Sequence, residues 1–578
     1  MYMFDKIFGE YYYHVIFCTK KRLKNIKFLK TIIIFFFFLI FSNILLGISP
    51  DKLRNNSGYN DSAGTYVDIG SDIQNSGKYK TDETFKILLN ILKSDEDQQV
   101  RENALYCLEK FGGKKVIKPL FEVLKIEKDS NVCSYIVSDL KDFAKNKMFR
   151  NDIVVRMMDI LKTSNSVAAK SEAAGFFKEF PDCRAKDILL QLAKKKNEGD
   201  EGWFVQDSAI RALGKIGDTS VIESLVVIME DKTEKIEVRI SCADSLGEIG
   251  DKRAVDALIQ QLHDLPTAAS ALGKIGDKKA VMPLIKFLEE LEDENVHSGG
   301  VIVSALADLK DSRVIEPVCA FLQKIVSLSL KKTYSETTGV ETAPFSDLFK
   351  ATAEALLKLG DPKAVPFLMH ALENIPEKYI EAPSSFVTPI AKLGGNDVVP
   401  YLIKLLQHSD YNVVREASKN LGESRIKEAF IPLFESVVDG KGWFEETASA
   451  IKKLGPPFPP IPNDTVLRGL RSPEKNIRDN VIEILNKIRW VAQDVEEKIY
   501  FLMDKEEFKK ISNLNLQIKM FELLERDLND SDVGIRLHAV KILIYLGRKE
   551  SEEKIIDTLN KYNDKEIAVI LVNCGNKN

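Results

Sequence analysis

The sequence predicts an all-α protein: an α-solenoid of helix–turn–helix repeats with an N-terminal hydrophobic helix. Three observations predict it. A Leu-Gly-x-Ile-Gly-Asp segment recurs along the chain, each time followed by an apolar stripe at helical spacing. At 578 residues the chain exceeds the ~250–300 residues that a single core sustains, so a repeat array is favoured. Residues 31–48, TIIIFFFFLIFSNILLGI, form an apolar run behind a basic flank.

The elements follow in chain order. Residues 1–30 are a basic N-terminal region. It carries Lys6, Lys20, Lys21, Arg22, Lys24, Lys27 and Lys30 against Asp5 and Glu10. The whole chain has 82 bases and 86 acids; removing those seven and two leaves 75 and 84, a net −9 after position 50. The run at 31–48 reads as a signal peptide or as an uncleaved membrane anchor. It just reaches the ~17 residues that a span needs, and Pro50 disfavours cleavage after Ser49. Residues 50–81, rich in Asn, Ser, Gly and Asp, read as a flexible linker. By the positive-inside rule the array lies across the membrane from the N-terminus. The expected location is therefore extracytoplasmic: membrane-anchored, periplasmic or secreted.

The array occupies residues 82–455. Its repeats begin near Leu108, Leu213, Leu246, Leu272, Leu306 and Leu356, with a weaker copy from Ala391. A first helix ends at Gly217, Gly250, Gly276 or Gly360, where glycine supplies a left-handed residue. The next residue, Asp218, Asp251, Asp277 or Asp361, is placed to N-cap the second helix. A Val-Arg or Ile-Arg pair opens several first helices: Arg101, Arg239, Arg415, Arg478 and Arg536. Residues 456–462 form a proline-rich joint, and 463–578 continue as C-terminal helical repeats.

The segment from Val238 to Leu262 resembles, almost throughout, the short bacterial HEAT-like repeats also found in phycobilisome lyases. The likeness to this branch of the HEAT repeat family is strong from Val205 to Val438 and weaker before and after. The resemblance implies a protein-binding scaffold or adaptor. It also implies an alternative, a lyase-type enzyme or enzyme subunit related to the bilin lyases. It further implies that the repeated arginines form a ladder with acids of neighbouring repeats. Asp97, Asp410 and Asp532, four or five residues before Arg101, Arg415 and Arg536, are the nearest candidates.

Three departures from the repeat are candidates for function. The Asp311–Asp361 interval is 50 residues, against 33 for Asp218–Asp251. The excess falls on Ser327–Phe345, read as an inserted loop carrying Lys331, Lys332 and Tyr334. Gly455–Pro462, GPPFPPIP, reads as a rigid joint, with a PxxP ligand as its functional reading. Gly-Trp-Phe occurs twice, placing Trp203 and Trp443 as partner anchors or as packing staples.

No catalytic, cofactor-binding or metal-ligating constellation is found. The six histidines are scattered, no His-Glu pair occurs, and neither a phosphate loop nor a nucleophile elbow appears. The 44% hydrophobic, 29% charged composition excludes a disordered chain. Its near-balanced charge argues against nucleic acid. The expected partners are proteins, with the membrane through the N-terminal segment. No small-molecule substrate and no enzyme activity are expected.

Overall fold

The computed structural model describes residues 80–195, 202–331, 343–376, 379, 382–441, 443–505, 511, 514–546 and 549–575. Every regular element among them is a helix. The basic region, the hydrophobic run at 31–48 and most of the linker lie outside these residues. Among the described residues no helix is long and apolar enough to cross a membrane. The chain divides into two compact units, up to Ala257 and from Leu258. Each is helical and solenoid-like.

In the first unit, helix Val167–Glu179 packs on Gly202–Ile216, which packs on Ile236–Ile249. These are the first helices of successive repeats. The second helices, Lys186–Lys194 and Ile222–Glu230, lie against the first helix that follows each of them. The second unit repeats the arrangement. Its first helices Ala268–Ile275, Gly299–Leu309, Ala343–Leu359, Ser384–Gly394, Tyr411–Ser424 and Phe444–Leu454 stack in series.

Each repeat turn is built by two residues. Gly250 takes φ 74°, and its N–H donates to the Leu246 carbonyl at 3.1 Å. That left-handed conformation ends the helix, and a side chain there would strain it. Asp251 then accepts from the Arg253 N–H at 2.9 Å. Gly217, Gly276 and Gly360 lie at φ 73°, 74° and 75°. Asp218, Asp277 and Asp361 accept from the N–H two residues on at 2.8, 3.0 and 2.9 Å. In all four turns the aspartate caps one turn of 3-10 helix, and the α-helix begins only after it. At Asp311 the preceding residue is Lys310, at φ 49°, so the same turn forms there without glycine.

The other glycine of Leu-Gly-x-Ile-Gly has a separate duty. A Cβ on Gly422 would stand 2.5 Å from the Ala450 Cα, and one on Gly214 would stand 2.9 Å from the Ser245 Cα. Successive first helices therefore touch backbone to backbone at a small residue. Val238, Cys242, Ala243 and Leu246 are fully buried beside them, with Ser241 and Ser245, whose hydroxyls donate to Asp207 and to the Ile210 carbonyl. Each large aliphatic side chain so buried contributes about 1.5–3 kcal/mol.

The inserted segment is shorter than its sequence indicates. Ser327–Lys331 are the last turn of second helix Ile315–Lys331, and Phe345 lies in first helix Ala343–Leu359. Leu328, Ser329 and Phe345 are buried. Apolar and hydroxyl residues at these ends continue the helical stripe, so only residues 332–342 lie between the two helices. Lys332 and Tyr334 fall outside the described residues.

Candidate partner-binding face

The repeated arginines are structural, and their partners differ from the nearest acids. Arg101 donates from Nε and Nη2 to both carboxylate oxygens of Glu127, at 3.1 and 3.3 Å. Its Nη1 reaches back to the Asp95 carbonyl at 3.0 Å. Arg536 does the same with Asp564, at 2.8 and 2.9 Å, and with the Asp530 and Ser531 carbonyls. Arg478 faces Asp504 at 3.3 Å. The acid therefore lies 26 or 28 residues after the arginine. Asp97, Asp410 and Asp532 instead N-cap their own helices, accepting from Gln99, Asn412 and Gly534 at 2.9, 2.8 and 2.7 Å. A short carboxylate beside its own helix start is held by the free N–H groups there. Arg415 departs from the ladder: it meets Glu416 at 3.6 Å and lies 5.6 Å from the centre of the Trp443 ring.

The Gly-Trp-Phe residues reach the surface at helix entrances. Trp203 is half-buried in the first turn of Gly202–Ile216, stacked on Phe204 at 4.1 Å, with the Lys235 ammonium at 5.7 Å. Trp443 precedes helix Phe444–Leu454 and rests against Tyr411 at 5.1 Å. Both Trp443 and Tyr411 remain exposed. Lys331 ends its helix as an exposed side chain. The proline-rich joint packs down onto the array. Phe458 contacts Phe430 at 5.0 Å, Ile461 is buried, and Lys427 donates to the Leu454 and Gly455 carbonyls.

The second helices present a different surface. Val227, Met282 and Leu330 are 66%, 54% and 47% exposed on helices Ile222–Glu230, Val281–Glu290 and Ile315–Lys331. In the first unit Val227 lies in a cleft of about 330 Å³ with Glu223, Asp231, Glu234 and Lys194. In the second unit Met282 lies in a groove of about 580 Å³. Its apolar lining is Ile259, Leu262, Ile285 and Phe287, and its acids are Glu289 and Glu290. His263 packs edge-on against Phe287 at 4.8 Å. Lys286 also lines this groove, 3.5 Å from Glu290, so the charge there is mixed, and the exposed apolar side chains are what suit both clefts to a partner's apolar anchor.

The buried titratable groups lie elsewhere. Burial pushes the Cys133 thiol up to about 12 and the Cys319 thiol to about 11, and raises Cys242. Such thiols stay protonated at neutral pH and are poor nucleophiles. Asp139 is raised to about 7, first by burial and then by Glu109 and Asp142. Among the described residues no group of His, Cys, Asp and Glu is placed to hold a metal ion.

Family profiles match part of the array, including the turns at Gly217, Gly250, Gly276 and Gly360. A HEAT-repeat profile matches residues 198–267. A profile for the PBS lyase HEAT-like repeat matches 267–290 and 350–374. The repeats are HEAT-like. No curated protein sequence matches the chain. Among solved structures the array is similar to yeast importin-beta (Kap95p), at 14% identity and TM-score 0.51, over 88% of this chain and 75% of that one. The Kap95:Nup1 complex matches equally, over 88% of this chain and 74% of that chain. The CpcE–CpcF phycocyanin lyase complex of Nostoc sp. PCC7120 covers 52% of this chain, at 17% identity. Its TM-score of 0.22 gives it no weight. At these identities the HEAT-like chain shares a helical-repeat fold with importin-beta, and the likeness goes no further.

Proposed function

We propose that this HEAT-like array is a non-enzymatic, protein-binding scaffold held outside the cytoplasm. The observation that carries the binding reading is the exposure of Val227, Met282 and Leu330 on three second helices, the first two in clefts of their own. An isolated exposed apolar residue is ordinary, but its recurrence on second helices within each unit supports a docking role for those helices. Export rests on the basic flank and the apolar run at 31–48, read from the sequence. A phosphatase reporter fused after Thr81 tests it: activity is expected, and an inactive phosphatase with an active cytoplasmic reporter overturns export. Affinity capture with the full chain from native membranes tests binding. Recovery of defined proteins lost on Met282→Asp or Val227→Asp supports the scaffold, and no specific protein recovered overturns it.

The lyase-type reading is retained on one observation, the match of residues 267–290 and 350–374 to the PBS lyase HEAT-like repeat. A chromophore that copurifies with the full chain would favour it over the scaffold.

A further inference from the structure

We infer that Arg415, Lys441 and Trp443 receive an acidic segment of a partner protein, a Glu or Asp carboxylate on the two bases and an apolar neighbour on the ring. This deepens the protein-binding reading above and rests on it.

The site comes from a ladder step that is built differently. Arg101, Arg478 and Arg536 each meet a carboxylate 26 or 28 residues further on. Counted from Arg415, those places hold Lys441 and Trp443. A base and an indole stand where the other steps have their acid. The guanidinium responds to that change. Arg101, Arg239, Arg478 and Arg536 all donate to carbonyls ahead of their own helices. Among the described residues Arg415 makes no hydrogen bond, and its nearest carboxylate oxygen, on Glu416, lies at 3.6 Å. Its side chain is 32% exposed, against 14% or less for Arg101, Arg478 and Arg536. Lys441 supplies the reason. Its ammonium donates to the Gln407 side-chain oxygen at 2.7 Å, two residues ahead of Ser409, whose carbonyl a ladder arginine would take. Like charges repel at that corner, and Arg415 lies instead over the Trp443 ring, 5.6 Å from its centre.

The nearby acids are committed elsewhere. Glu416 turns its other oxygen to Lys419 at 3.3 Å and Thr388 at 3.4 Å. Asp410 caps its own helix. Glu445 and Glu446 stand in the first turn of Phe444–Leu454, at the positive end of that helix. Among the described residues neither pairs with Arg415 or Lys441, and Lys441 pairs with no carboxylate. Selection therefore rests on these donors and not on net charge. The guanidinium fork matches a carboxylate, as Glu127 and Asp564 show on Arg101 and Arg536. Trp443 and Tyr411, in contact at 5.1 Å and both exposed, give the adjoining apolar ledge. A basic segment meets two cations at the same place.

The test uses the full chain and a fluorescent peptide of about 12 residues with alternating Glu and Phe or Leu at its centre. Controls are the same peptide with Gln for Glu, one with Lys for Glu, and a labelled single-stranded oligonucleotide. Anisotropy should show the Glu peptide bound and the controls at least about tenfold weaker. Arg415→Gln should weaken the Glu peptide at least about tenfold and leave the unfolding temperature unchanged, since no ladder bond is lost. Lys441→Glu returns an acid to the ladder place. It should draw Arg415 back, raise the unfolding temperature and weaken the peptide by a similar factor. If Arg415→Gln fails to fold, Lys441→Glu alone decides. No binding of the Glu peptide up to about 1 mM, unchanged affinity in the folded variants, or equal binding of the Gln peptide or the oligonucleotide overturns the assignment. Failure of the underlying reading looks different. If the peptide binds at Arg415 yet the chain captures no protein from native membranes, the site stands and the scaffold falls. If captured proteins are the same with and without Lys441→Glu, the scaffold stands and the site falls.

Discussion

The turn edge and the second-helix face of this array obey opposite rules. At the turn edge, four glycines share one φ to within 2° and four aspartates make the same hydrogen bond. On the second-helix face, the exposed apolar residue is Val227 in one repeat, Met282 in another and Leu330 in a third. Uniformity marks what every repeat needs in order to stack. Variation marks what individual repeats are free to present to a partner. Substitutions at the first should change stability and leave binding intact, and substitutions at the second should do the reverse.

The largest effect is expected where first helices touch. Gly422→Val places a branched side chain against the Ala450 backbone and should cost about 3 kcal/mol. The sign is diagnostic at Gly422→Ala: in an exposed helix alanine gains about 1 kcal/mol over glycine, but here it should destabilise. Urea unfolding followed by circular dichroism measures both. Arg536→Leu should cost about 2–3 kcal/mol, because it leaves the half-buried Asp564 carboxylate and two carbonyls without their donor.

The next effect is pH-dependent. Asp139 has its pKa raised to about 7 in the folded state, against about 4 unfolded. Between those values the folded state holds the extra proton, so stability falls as pH rises through the window. Below it both states are protonated and no penalty remains. Asp139→Asn should therefore leave stability at pH 4 unchanged and raise it at pH 8 by about 2 kcal/mol. A variant that is flat at pH 8 would show that Asp139 is solvated.

Gly250→Val comes third, at about 1–2 kcal/mol, because open space surrounds its Cβ position and only the left-handed φ opposes the change. The smallest effect is at Val227→Asp, where a 66% exposed side chain should move stability by less than about 0.5 kcal/mol.

The sequence shows the turn edge because the turn is periodic and its chemistry local. Gly250 and Asp251 act through their own backbone, so their types alone reveal their roles. The arginine ladder is only half legible. Arg101 recurs visibly, but its partner Glu127 lies 26 residues on, across a helix pair, and proximity in sequence points instead to the capping Asp97. The stacking glycines Gly214, Gly273 and Gly422 each follow a leucine, yet a close approach is a property of two helices. The insertion after Ser327 is overestimated from sequence because Leu328, Ser329 and Phe345 belong to flanking helices. Deleting Ser327–Phe345 should therefore destabilise the array, while deleting residues 333–341 should not, as thermal unfolding of the two variants would show.

The claim that the second-helix face, and not the turn edge, receives a protein partner is tested most directly by site-specific photo-crosslinking in native membranes. A photoreactive residue is placed at Met282 in one full-length chain and at Lys278, beside the Asp277 turn, in another. The account predicts a discrete covalent protein adduct from position 282 and none from position 278. Adducts from 278 with none from 282 would contradict it.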